Sequence, residues 1–138
     1  MINLQKTPQW DNLLKAAIEA RERSYSPYSH YKVGAALLTT SGKIYTGCNI
    51  ENAAYTPSNC AERTAIFKAV SEGERDFSAI AVATSNGGAP CGICRQVIRE
   101  FAPNLSIIVG NLEGNYQVFT LSDLLPHSFG PEDLPTIT

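Results

Sequence analysis

Residues 77–120 read FSAIAVATSNGGAPCGICRQVIREFAPNLSIIVGNLEGNYQVFT, and this stretch decides the fold. Phe77 to Thr84 is a continuous apolar run rich in Ala, Ile and Val, the pattern of a strand buried on both faces. Cys91 to Phe101 reads as a helix that stops before Pro103. Leu105 to Val109 is a second buried strand. Strand, helix, strand makes a βαβ unit with parallel strands and a right-handed crossover. The next connection, Asn111-Leu112-Glu113-Gly114-Asn115, is too short to hold a crossover helix. A strand from Tyr116 to Thr120 must therefore run antiparallel to its predecessor. Leu121 to Leu125 fits one helical turn before Pro126.

Working outward, Asn59 is placed to cap a helix from Cys60 to Val70, which Gly73 stops. Tyr31 to Thr39 and Ile44 to Cys48 read as a hairpin around Ser41-Gly42. Trp10, Leu13, Leu14, Ala17 and Ile18 recur at helical spacing, and Ser26-Pro27-Tyr28-Ser29 ends that helix. No repeat, low-complexity tract or linker divides residues 1–138, so one α/β domain is expected.

The composition narrows the function classes. Hydrophobic residues make up 43% and charged residues 17% of the 138-residue chain, as in ordinary globular domains. No apolar run approaches the roughly 18 residues of a membrane helix. Met1-Ile2-Asn3-Leu4-Gln5 has no basic-then-apolar pattern, so no secretory leader and a cytoplasmic location are expected. The net charge of −2 and the lack of a Lys/Arg cluster argue against a nucleic-acid polymer and for a small substrate. Four cysteines without a leader favour metal binding or catalysis over disulfides.

Cys60-Ala61-Glu62 and Pro90-Cys91-Gly92-Ile93-Cys94 carry the chemistry. Cys60, Cys91 and Cys94 offer three thiolates, and three protein ligands with one open position is the arrangement of a catalytic zinc. Cys91 and Cys94 share a helix face near its N-terminus. Glu62 shares a stripe with Ala65, Ile66, Ala69 and Val70, which makes it an acid on a buried face. A regular helix would turn about 200° between Cys60 and Glu62. The two converge only if Cys60 lies at the helix entry, before the backbone is regular. One zinc dication and three thiolates sum to −1, so at least one of Arg63 and Arg95 is expected to donate to a ligand sulfur. Cys48 reads as a buried free thiol, and His30 and His127 as surface residues.

The motifs Cys60-Ala61-Glu62-Arg63-Thr64-Ala65 and Pro90-Cys91-Gly92-Ile93-Cys94-Arg95-Gln96-Val97 resemble the small cytidine deaminases of pyrimidine salvage. So do Tyr28-Ser29, Val33-Gly34-Ala35-Ala36-Leu37, Gly47-Cys48-Asn49-Ile50-Glu51-Asn52-Ala53 and Leu124-Leu125-Pro126. The resemblance covers nearly the whole chain. It implies a three-layer α-β-α fold around a five-stranded mixed sheet, one zinc per subunit, and a homotetramer with shared active sites. It implies hydrolysis of cytidine and deoxycytidine to their uridine counterparts and ammonia, with Glu62 as the proton shuttle. It assigns Asn49 and Glu51 to the ribose hydroxyls, and Ala61 and Tyr31 to the nucleoside pocket. Phe129 resembles an aromatic that reaches a neighbouring subunit's pocket, and Tyr55 matches a position near the subunit junction. Tyr31 stands where phenylalanine is usual, and its hydroxyl needs a partner. Thr56-Pro57-Ser58, Ile93 and His127-Ser128 also depart from the family pattern.

Rival readings are a deaminase of another cytosine nucleoside, such as blasticidin S, and a non-catalytic zinc-stabilised module with Cys48 as fourth ligand. An editor of RNA or DNA is a third, opposed by the charge and the short final loop. Tyr25, Tyr28 and Tyr31 are expected to pack the first helix on the sheet or to line the pocket mouth.

Overall fold

Thr7 caps the first helix by accepting a hydrogen bond from the Trp10 amide at 3.2 Å, and Pro8 occupies the first turn, where a missing N–H costs nothing. This helix, α1, spans Pro8–Arg21 in a computed structural model that describes residues 6–135. The expectation of no leader, read from Met1–Gln5, falls on residues outside those described. The helix ends well before Pro27. Beyond its cap at Glu22 the chain pairs with a distant segment instead: the Tyr25 amide donates to Asn49 O at 3.0 Å, and the Glu51 amide to Tyr25 O at 2.8 Å.

The strands are β1 (Gly34–Thr39), β2 (Ile44–Cys48), β3 (Phe77–Ala83), β4 (Ser106–Gly110) and β5 (Tyr116–Phe119). They form one sheet in the order β2-β1-β3-β4-β5. β3 and β4 are parallel, while β1 runs antiparallel to β2 and β3, and β5 to β4. The short 111–115 connection thus reverses the chain as its length requires. Helices α2 (Ala61–Ser71), α3 (Gly92–Phe101) and α4 (Leu121–Leu124) and a 3₁₀ turn at Pro131–Asp133 complete the elements.

β1 starts three residues later than Tyr31, and Asn49 is the reason. Its Nδ2 donates to Tyr31 O at 2.8 Å, and its Oδ1 accepts from the Val33 amide at 2.9 Å. A side chain takes two of the ladder's positions there, and the Asn49 amide donates to Val33 O at 3.2 Å. At the other edge, Thr120 leaves β5 to cap α4 in a capping box with Asp123.

The sheet is covered on both faces, and the alternation of side chains sorts them. Ala36, Leu38, Ala79, Ala81, Ala83 and Ile108 pack with Leu13, Leu14 and Ala17 of α1. Ala35, Leu37, Ile80, Ile107 and Val109 pack with Ala61, Ala65, Ile66 and Ala69 of α2 and Ile98 of α3. The result is the expected three-layer α-β-α architecture. Gly47 sets how closely α2 approaches: a Cβ there would lie 2.5 Å from Ala61 O and 2.6 Å from the Ala65 nitrogen. Only glycine lets the first turn of α2 rest on β2.

Candidate metal centre and active site

Two helix starts carry the sulfurs. Cys60 is the N-cap of α2 and Cys91 the N-cap of α3, both in extended backbone, and neither side chain accepts a capping bond from the backbone amides of its helix. The sulfurs therefore turn outward from the caps. Asn59, expected as the cap of α2, lies one residue too early. Its backbone pairs with Ile50 in both directions at 2.9 Å, and its Nδ2 donates to Thr64 Oγ1 at 3.1 Å. Because Cys60 precedes the regular helix, it and Glu62 can converge, as the 200° argument demands.

The trio is compact. Cys60 Sγ lies 3.7 Å from Cys91 Sγ, and Cys91 Sγ 3.5 Å from Cys94 Sγ. All three sulfurs fall within 4.8 Å of one another. A tetrahedral zinc with bonds of about 2.3 Å separates its sulfurs by about 3.8 Å. The donor set and spacing fit zinc, and Cys48 lies outside the group. Cys48, expected to be buried, is half-buried, and desolvation pushes its thiol up, which keeps it neutral.

The electrostatics favour charge on the Cys60 sulfur. The hydrogen bond from Cys94 draws Cys60 down to about 5, and Arg63 adds to the effect. Cys94, fully buried, is pushed upward as the donor to Cys60 and by desolvation. Arg63 Nη2 donates to Cys60 Sγ at 3.1 Å. Its Nε is buried with no hydrogen-bond partner among the described residues, so the guanidinium is committed to the sulfurs at some cost. Arg95 points elsewhere. It donates to Pro90 O at 2.7 Å and Leu124 O at 2.6 Å, bracing the entry to α3 rather than a sulfur.

Glu62 is 4% exposed on the stripe with Ala65, Ile66 and Ala69. Burial drives its carboxyl up to about 7, the Cys60 charge adds to this, and Arg63 opposes it. It lines a cavity of about 300 Å³. Cys60, Cys91, Arg63, Ala61, Asn49, Glu51 and Tyr31 line the same cavity. The fully buried Cys94 and the exposed Phe129 do not line it.

Asn49 and Glu51 are already engaged. The Glu51 carboxylate accepts from the Tyr28 amide at 3.0 Å, the Ser29 amide at 3.1 Å and the Ser29 hydroxyl. The Ser29 hydrogen bonds hold it below the usual carboxylate range. A carboxylate has about four acceptor sites, so one remains. Asn49 Oδ1 accepts from Val33 and from the Ser24 hydroxyl, and one N–H goes to Tyr31 O, which leaves a second N–H. Both residues are rigid and retain one hydrogen-bonding position each.

Ser29, Thr84, Gly88 and Ala89 also line the cavity, and sequence reasoning missed them. The one available signal was topological. Thr84 and the loop after it follow the carboxyl end of β3, where open α/β sheets place ligands. Tyr25 and Tyr28 do not line the cavity itself, but Tyr28 borders an adjoining depression that shares Ser29, Glu51 and Ser58 with it, as expected of a residue at the pocket mouth. The two tyrosines are 56% and 50% exposed, and Tyr28 meets Tyr55 edge-on at 6.5 Å. His30 and His127 are exposed, as expected.

The comparisons with known proteins agree with this geometry. Residues 8–110 match the family described as the cytidine and deoxycytidylate deaminase zinc-binding region. The chain is 54% identical over 125 residues to a cytidine deaminase of Halalkalibacterium halodurans, covering 88% of this chain and 95% of that protein. It is 51% identical to one of Sporosarcina psychrophila, covering 90% and 93% respectively. A crystal structure of cytidine deaminase from Burkholderia pseudomallei superposes with a TM-score of 0.83 at 49% identity, covering 90% of this chain and all of that one. With a three-cysteine cluster fit for zinc and a buried glutamate beside it, this chain belongs to the cytidine and deoxycytidylate deaminase family.

Proposed function

We propose that this protein is a zinc-dependent hydrolase that converts cytidine and deoxycytidine to uridine and deoxyuridine, releasing ammonia, within one catalytic domain. One observation carries the reading: the buried Glu62 and the sulfurs of Cys60 and Cys91 border a cavity of nucleoside size. Cys60, Cys91 and Cys94 would hold the zinc, whose Lewis acidity makes water a nucleophile near neutral pH.

Glu62 takes the attacking water's proton and delivers it to the pyrimidine ring nitrogen. It then helps protonate the departing amine. A single carboxylate can serve these transfers in turn, accepting a proton and then releasing it. Asn49 offers its remaining N–H, and Glu51 its remaining acceptor position, to the ribose hydroxyls. The Tyr31 ring and Ala61 flank the nucleoside. The ribose contacts favour cytidine over blasticidin S, whose sugar differs. A side-by-side assay of both compounds, read by loss of ultraviolet absorbance with and without a chelator, tests the proposal. Turnover of cytidine that the chelator abolishes is expected. Preference for blasticidin S, or no turnover, overturns it.

Arg63 draws charge from Cys60 through its 3.1 Å bond and so keeps the metal electrophilic. Arg63→Gln is expected to lower kcat about 10- to 100-fold while metal content stays near one per chain, read by steady-state kinetics and elemental analysis. Unchanged kcat would count against this role.

The assembly belongs to the same proposal. Tyr25, Tyr28, Ile50, Tyr55, Ile93 and Phe129 are all large, apolar and between 45% and 75% exposed, as subunit junctions require. We place the protein in the cytoplasm as a homotetramer with shared sites. None of the described helices is long and apolar enough to cross a membrane. The Phe129 carbonyl is fixed by Gln96 Nε2 at 2.9 Å, while the ring is 56% exposed and free to enter a neighbour's pocket. Phe129→Ala is expected to raise KM about 10-fold, the scale of one aromatic–base stack. A monomeric mass in sedimentation, or an unchanged KM, would remove Phe129 from the site.

A further inference from the structure

The loop from β3 to α3 reads Ser85-Asn86-Gly87-Gly88-Ala89-Pro90 and leads directly into Cys91. Gly88 and Ala89 form part of the cavity wall. Residues 85–90 belong to no helix or strand, and Gly87 has a φ of +72°. Two adjacent glycines give such a loop wide conformational freedom. Arg95 holds its last residue through Pro90 O, and the order of the rest draws on a short chain of hydrogen bonds. The Gly88 amide donates to Thr84 Oγ1 at 2.8 Å, and the Thr84 hydroxyl donates to Asn86 Oδ1 at 3.2 Å. The Tyr31 hydroxyl donates to the same Oδ1 at 2.7 Å. Tyr31 is 55 residues away, on the segment entering β1, and its side chain lines the same cavity. The fit is close: a Cβ on Gly88 would lie 2.8 Å from the phenol oxygen.

We propose that the Tyr31 hydroxyl is a latch that holds residues 85–89 as a wall of the nucleoside pocket, with Asn86 as its catch. The proposal rests on the cytidine deaminase reading of the cavity. The latch acts on how the substrate is received. Neither Tyr31 nor Asn86 hydrogen-bonds to Glu62 or to a sulfur among the described residues. An unlatched loop must be ordered when the nucleoside enters, and the entropy of ordering it weakens binding. Tyr31 is 39% exposed, so water competes for its hydroxyl and the effect is moderate.

Steady-state kinetics on cytidine would compare the native protein, Tyr31→Phe, Asn86→Ala and the double variant. Tyr31→Phe keeps the ring and removes only the hydroxyl. Each single change is expected to raise KM about 3- to 10-fold, with the loss falling on KM rather than kcat. The double variant should be no worse than the worse single, because one bond is lost only once. An unchanged KM, a loss confined to kcat, or factors that multiply in the double variant would overturn the latch. Amide hydrogen exchange at Gly88 needs no substrate and separates this idea from the deaminase reading. Tyr31→Phe should speed that exchange several-fold even in a protein that ignores cytidine, and equal exchange rates overturn the latch.

Discussion

Replacing Glu62 with alanine yields a folded, zinc-bearing protein whose kcat on cytidine falls about 10⁴-fold, the upper end of what a positioned acid–base group supplies. The size follows from the number of proton transfers assigned to one carboxylate. Water must lose a proton, the ring nitrogen must gain one, and the amine must leave protonated. No other carboxylate replaces it, because Glu51, which also lines the cavity, is bound to Tyr28 and Ser29. The fold survives for a separate reason. Glu62 is 4% exposed in an otherwise apolar stripe, where an acid is costly. Removing it should leave stability unchanged or raise it slightly, as expected where a residue is kept for chemistry. Elemental analysis, urea denaturation and steady-state kinetics on the same preparation decide the matter. If zinc disappears along with activity, Glu62 is a ligand and the shuttle assignment fails.

The chain announces its sheet more clearly than its connections. Ala, Ile and Val runs mark β3 and β4 because both faces of each strand are covered, and the brevity of 111–115 settles the direction of β5. The grouping of the trio is equally legible, since Cys-x-Glu and Pro-Cys-x-x-Cys place thiols at two helix starts. What the sequence hides is any backbone group satisfied by a distant side chain. Tyr31 to Val33 looks like strand until Asn49 occupies both its carbonyl and its amide. Arg63 and Arg95 look equivalent, each close behind a cysteine. They differ because the Leu124 carbonyl at the end of α4 lies within reach of Arg95, a fact of tertiary packing alone. Asn86 gave no signal, since its partner is on a segment far back in the chain.

Cys94→Ala carries the second large expected effect, and it reaches beyond turnover. Cys94 is fully buried, and its sulfur lies 3.5 Å from that of Cys91. Removing it leaves two sulfurs for a metal that needs three protein ligands and an open position. Zinc content should fall from one per chain to nearly none, and cytidine turnover by more than about 10³-fold. Stability should fall as well. Cys60 begins α2 and Cys91 begins α3, so a metal gripping both ties two helices that no disulfide joins. A ligand held by the folded state alone stabilises it by mass action, about 4 kcal/mol at a thousandfold excess over Kd. A lower Tm in the variant, matched in native protein by a chelator, is the signature of that link. Cys48→Ala supplies the contrast. Its sulfur lies outside the trio and its thiol stays neutral, so metal and activity should remain. Loss of zinc in that variant would mean four protein ligands close around the metal, leaving no position for water and no hydrolase.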